Sequence, residues 1–334
     1  MSGELIEVIN ATMIFKVGGL RGGRKQIVAV DNVTFDIKEG ENIALVGESG
    51  SGKSTLGRIT LGLLKPTRGE IRFQGKNIWS MSREEFKKFR RNAQIIHQDP
   101  YSAVNPVRTI FQTLSAPLLQ NGIVQSKKEA FEKAAELLSL VGLNPPTDFL
   151  NRYPSRMSGG QLQRIVIARA ISVNPKYIVA DEAVSMLDAS LRLGVIDLLL
   201  DIQRKFGVSY LFITHDLGIA RYFIVKGGGK IAVMYLGSIV ELGKGDDVIR
   251  NPIHPYTKVL VEASPVPDPK LARSKGLPPL KSLDIPRLTE VPSGCKFHTR
   301  CPYAKKICEE ERPELIKVND RVVACHFAEY FKES

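Results

Sequence analysis

The sequence predicts an α/β fold followed by a small cysteine-rich extension. Three stretches predict it: "IALVGESGSGKSTL" at 43–56, "KYIVADE" at 176–182 and "GCKFHTRCPYAKKIC" at 294–308. The first two are short apolar runs that end in polar residues, as buried strands do when their carboxyl ends carry a site. The third gathers three of the chain's four cysteines; none precedes Cys295, and the fourth is Cys325.

In the first stretch Ile43 to Val46 reads as a buried strand. Gly47-x-x-x-x-Gly52-Lys53-Ser54 follows, and then a helical pattern. Strand, glycine-rich turn and helix are the context that a P-loop requires, so the predicted class is a P-loop NTPase. Backbone N–H groups of Gly47, Ser49, Gly50, Ser51 and Gly52 can turn inward on phosphate oxygens. The helix N-terminus adds its positive end. Lys53 supplies a mobile cation, and the Ser54 hydroxyl can ligate Mg²⁺ with Thr55 close by. In the second stretch Tyr177 to Ala180 reads as another buried strand. Asp181 is placed for the Mg²⁺ shell and Glu182 to polarise the attacking water, the two tasks an NTPase needs done. "MSGGQLQR" at 157–164 has two readings that stay open: an anion nest of Ser158, Gly159 and Gly160, or a plain helix capped by Ser158.

Lys and Arg number 47 against 35 Asp and Glu, a net charge of +12. That balance suits anionic partners, and equally a well-solvated surface. No aromatic-interleaved basic stripe of the RNA-binding kind is present. No apolar run is long enough for a membrane span, and "MSGELIEVIN" lacks the layout of a signal peptide, so a soluble protein is expected. "KGGGK" at 226–230 lacks P-loop spacing and reads as a turn before the strand "IAVMYL". Val195, Leu199, Ile202 and Phe206 recur at helical spacing and are expected in the core.

Together these segments resemble the nucleotide-binding subunits of ABC transporters, over roughly residues 5–260. "GESGSGKST" looks like Walker A, "YIVADE" like Walker B, and "MSGGQ" like the signature motif, with Met157 where leucine is usual and Gln161 closing it. "IIHQDP" places Gln98 as the Q-loop glutamine, "SMLD" Asp188 as the D-loop aspartate and "ITHDL" His215 as the switch histidine. Phe15 is the candidate to stack on adenine, with the insertion "VGGLRGGRKQ" beginning shortly after it. The resemblance implies a RecA-like core with an antiparallel β subdomain and a helical subdomain at about 99–165. It implies ATP, with Mg²⁺ held by Ser54, Gln98 and Asp181, and catalysis by Glu182, His215 and Gln98. It also implies a head-to-tail dimer in which the Ser158–Gly160 nest of one subunit closes on the P-loop of the other.

"NPIHPYTKVL" and "CKFHTRCPYAKKIC…CHF" resemble the ATP-binding subunits of oligopeptide and dipeptide importers, and "DEAVSMLDAS" leans toward the second of their two ATPases. The implied partners are two transmembrane permease subunits, a second homologous ATPase subunit and, indirectly, an extracellular solute-binding protein. The implied location is the cytoplasmic face of the membrane, peripherally attached. Ala183 stands where a proline usually follows the catalytic glutamate, Met186 replaces a small D-loop residue, and His97 replaces an apolar one. These departures are expected to modulate turnover without abolishing it.

The expected domains are a nucleotide-binding body at 1–263, a linker at 264–294 with seven of the nineteen prolines, and a four-cysteine module at 295–334. So short a module needs a staple. The spacing Cys295-x5-Cys301-x6-Cys308-x16-Cys325 leaves zinc and a 4Fe–4S cluster both open. His298 and His326 are the zinc alternatives. In the family it resembles, these cysteines hold an iron–sulfur cluster. Oligosaccharide import is an alternative to peptide import. A nucleic-acid-associated ABC ATPase is not expected: the interval from Thr55 to Met157 has no heptad run, and the chain has one cassette.

Overall fold

The computed structural model describes residues 3–18, 25–264 and 279–332. Part of the expected insertion after Phe15 (19–24) and the proline-rich stretch 265–278 lie outside the described residues. The chain divides into two compact units.

One unit comprises Met1–Leu5, Ile37–Glu41 and Phe73–Ile213. Its sheet is parallel, with Tyr177–Asp181 between Ala93–Ile96 and Ser209–Thr214. Register pairs Ala93 with Tyr177 and Asp181 with Ile213. The central strand and its Ser209–Thr214 neighbour are buried throughout, which is why they read as continuous apolar runs. Helices Ile110–Gln120, Lys127–Leu140 and Gly159–Ile171 follow Ala93–Ile96 in the chain. They bury Leu114, Leu118, Ala134, Leu138, Leu162 and Val166. Each starts on a side-chain cap: Thr109, Ser126 and Ser158. The helix Ala189–Phe206 buries Val195, Leu199 and Ile202 as expected, but Phe206 is 42% exposed. The correction has a local cause. Gly207 ends the helix in the left-handed conformation, at φ 67, so Phe206 is its last residue.

The other unit comprises Ile6–Asp36, Asn42–Arg72 and Thr214–Ser334. In one of its sheets the order is Ile316–Val318, Arg321–Val323, Ser238–Lys244, Lys230–Tyr235 and Asn42–Val46. The first three pairings are antiparallel and the last is parallel. The long strands Lys25–Lys38 and Glu4–Val17 and the strand Arg68–Phe73 follow one another in a second sheet. Within segment 295–332, Val323 pairs with Glu241 and joins a cluster of Ile253, Val318, Ala328 and Phe331. A forty-residue segment buries little by itself, and it gains a core by adding strands to an existing sheet edge.

Candidate functional site

The P-loop is built by a fully buried strand, Asn42–Val46, and the helix Lys53–Thr60. Gly52 caps that helix at φ 103, and a Cβ there would meet Ala29 O at 2.0 Å. Gly47, at φ 153, has Met234 O at 2.2 Å from the corresponding point. Only glycine fits either position. Lys53 is buried, and its Nζ donates to the carbonyl oxygens of Gly47 and Glu48, each at 2.8 Å. Ser51 is buried, Ser54 and Thr55 are half-buried, and Ser49 and Gly50 are exposed. A cation inside a curl of backbone amides at a helix N-terminus is a cradle for a phosphate chain. In the same unit Phe15 is half-buried in strand Glu4–Val17. His215 is exposed just past strand Ser209–Thr214.

The other unit holds the carboxylates. Asp181 is buried at the end of its strand. Glu182 follows at φ 48, its N–H donating to Ile213 O at 3.0 Å and its carbonyl accepting from Ser185 N at 3.0 Å. Gln98 Nε2 donates to Glu182 Oε2 at 3.1 Å, so two positions 84 residues apart are brought together. Gln163, on the helix that opens at Ser158, donates to His97 O at 3.5 Å and ties that helix to the Gln98 loop. Ser158 and Gln161 form a capping box: Ser158 Oγ accepts from Gln161 N, and Gln161 Oε1 accepts from Ser158 N. A Cβ on Gly159 would meet nothing within 4 Å, so the helix start is open on that side. Gly160 packs toward Leu191. Asp188 is exposed at the start of Ala189–Phe206, Met186 is exposed and Ala183 is buried.

Cys295, Cys301, Cys308 and Cys325 are free thiols that line one cavity with His298, His326, Phe297 and Phe327. Burial pushes the Cys325 thiol up to about 12, helped by the other three cysteines, and that of Cys295 to about 11, helped by Cys308 and Cys301, and it raises Cys301. Ring nitrogens of His298 and His326 each lie 2.9 Å from a backbone carbonyl, of Cys295 and Glu311 respectively. Among the described residues, no three of His, Cys, Asp or Glu converge on a single-ion site. The four thiols thus share the lining of a common cavity, and a cationic group there would draw off protons that burial otherwise retains.

Sequence reading passed over Glu48 and Arg300, which form a forked ion pair inside the P-loop unit. The available signal was an acid at a variable position of a phosphate loop, with nothing nearby in sequence to neutralise it.

A family model described as ABC transporter matches residues 30–185, and one described as the C-terminal region of oligopeptide/dipeptide transporters matches residues 240–308. The oligopeptide transport ATP-binding protein AppF of Bacillus subtilis is 43% identical over 302 residues, covering 90% of this chain and 89% of AppF. The di/tripeptide transport ATP-binding protein DppF of Pseudomonas aeruginosa is 40% identical, covering 94% of each chain. Among solved structures, the dimeric post-hydrolysis state of the ATP-binding cassette MJ0796 bound to ADP and Pi aligns with TM-score 0.63 at 31% identity, over 72% of this chain and 99% of that one. The fold is therefore the ABC cassette form of the P-loop NTPases. The chain belongs to the family of ATP-binding subunits of oligopeptide and dipeptide ABC transporters, and it is an ATPase of the ABC type.

Proposed function

We propose that the chain binds ATP and Mg²⁺ at Gly47 and Ser49–Thr55 and hydrolyses ATP to power peptide uptake through two membrane permease subunits. The observation that carries this reading is Lys53, a buried cation held on P-loop carbonyls at a helix N-terminus. Lys53 and the loop amides hold the β- and γ-phosphates. In this reading Ser54, Asp181 and Gln98 would hold Mg²⁺, Glu182 would orient and polarise the attacking water, and His215 would contact the γ-phosphate. The hydrogen bond from Gln98 to Glu182 supports the pairing of the Q-loop with the catalytic carboxylate. Phe15 stacks on adenine. The open helix start at Gly159 supports a head-to-tail dimer, in which Ser158, Gly159, Gly160 and Gln161 close on a second ATPase subunit's nucleotide and Asp188 lies at the seam. Hydrolysis reopens that dimer and resets the permeases, which receive solute from an extracellular binding protein.

Oligopeptide and di/tripeptide transport stand in the names of the relatives, which supports peptides as the solute class. Among the described residues no helix is long and apolar enough to cross a membrane; peripheral attachment at the cytoplasmic face follows from the proposed pairing with permease subunits. In this reading the four cysteines, which line one cavity, would hold a 4Fe–4S cluster that orders segment 295–334, with Zn²⁺ as the alternative. Functionally we retain 1–263 as the nucleotide-binding body and 264–294 as its link to that segment.

The test is uptake into vesicles carrying the reconstituted transporter. Labelled oligopeptide should accumulate with ATP and fail to accumulate with Glu182→Gln. Accumulation of an oligosaccharide and no peptide would overturn the solute class.

A further inference from the structure

Glu48 occupies one of the variable positions between Gly47 and Gly52. A bare carboxylate there would repel the phosphates the loop is built to hold. The structure answers it with Arg300, a residue 252 positions away that lies between Cys295 and Cys301. Arg300 Nη1 donates to Glu48 Oε1 and Oε2 at 3.1 and 3.0 Å, and Nη2 to Oε1 at 3.2 Å. The two side chains are 5% and 22% exposed, so solvent screens the pair only weakly. The Glu48 backbone is held as well: its N–H donates to Tyr256 Oη at 3.0 Å, and its carbonyl accepts from Lys53 at 2.8 Å. The guanidinium carbon of Arg300 lies 5.8 and 5.7 Å from the ring centres of Tyr235 and Phe297. Those rings pack on each other and on Tyr256 at 4.5–5.4 Å.

We propose that Arg300 is a positioning residue of the nucleotide site. It cancels the charge of Glu48 beside the phosphate-binding amides, so that ATP affinity depends on the cysteine segment being in place. The inference rests on the reading that this loop binds ATP. An unpaired acid among partly buried groups is costly, whereas removing both partners is close to neutral. The two cases therefore separate charge from packing.

The experiment measures the Kd of a ribose-labelled fluorescent ATP with Mg²⁺ on the full chain, for wild type, Arg300→Gln, Glu48→Gln and Glu48→Gln/Arg300→Gln. Arg300→Gln should raise Kd about tenfold or more, while Glu48→Gln and the double variant stay within about threefold of wild type. Rescue in the double variant is the decisive readout, because a packing role would leave it as weak as Arg300→Gln. Should Arg300→Gln not fold, Glu48→Gln decides: a tenfold loss there would overturn the proposal, since the acid would then be helping the loop. Wild-type affinity in Arg300→Gln would overturn it too. A wild-type chain that binds no ATP would overturn the nucleotide reading and this inference with it.

Discussion

At Glu182 the backbone sits in the left-handed region, at φ 48, which a non-glycine residue holds at a cost of about 1–3 kcal/mol. Its N–H and C=O are both engaged, by Ile213 and Ser185, so the turn is over-determined and the carboxylate is aimed at Gln98. Glu182→Gln keeps shape and hydrogen bonding but cannot polarise water as a base. It is expected to lower steady-state phosphate release at least about a hundredfold while ATP still binds. Activity within tenfold of wild type would remove Glu182 from the catalytic role. Gly52 makes a different demand. A methyl group there meets Ala29 O at 2.0 Å in a conformation that L-residues avoid. Gly52→Ala should therefore cost about 2 kcal/mol or more of stability and abolish ATP binding, read by thermal unfolding and by titration with ATP.

The helix Pro255–Ala263 begins on His254, whose Nδ1 accepts from Tyr256 N at 3.0 Å while the ring also bonds the Ala324 backbone. Burial holds this histidine neutral, with its pKa pushed down to about 3. Protonation would turn the cap acceptor into a donor. The unfolded histidine titrates near 6.5, so between about 3 and 6.5 the unfolded chain binds the extra proton. Stability is thus fully present above pH 6.5 and is lost as pH falls, by up to about 1.4 kcal/mol per pH unit. Urea midpoints should drop from pH 7 to pH 5, and His254→Asn, a non-titrating cap, should flatten that slope. The cysteine segment makes a second element-scale prediction. Protein purified without oxygen should carry about four iron and four sulfide per chain; one zinc and no sulfide would make the site a zinc staple. Elements legible in the sequence were those with local signals: the strand before Gly47, the strand before Asp181, and the helix opening on Ser158. Phe206 misled because periodicity does not mark where a helix ends. The pairing of Arg321–Val323 with Ser238–Lys244 was illegible because three residues carry no pattern that names a distant partner.

For the whole chain the same contrast governs the site. The P-loop and the Asp181–Glu182 strand end are contiguous and could be read directly. Gln98 was placed by resemblance alone, and its bond to Glu182 closes a gap of 84 residues. The Glu48–Arg300 pair has no contiguous signature at all. These long-range pairs bear on whether residues 295–334 are a dispensable appendage. Removing them would leave Glu48 without Arg300 and Asp31 without Lys296 and Arg312. Glu241, whose side chain is fully buried and whose pKa burial raises, would lose Arg321. Tyr235 and Tyr256 would lose Phe297, and strand Ser238–Lys244 would become an open edge. Several orphaned carboxylates and an unpaired edge at once exceed what a marginally stable domain tolerates. A chain ending at residue 294 is therefore expected to aggregate on size exclusion and to unfold well below the intact protein. A soluble, monomeric truncation with wild-type ATP affinity would show instead that the cassette stands without its cysteine segment.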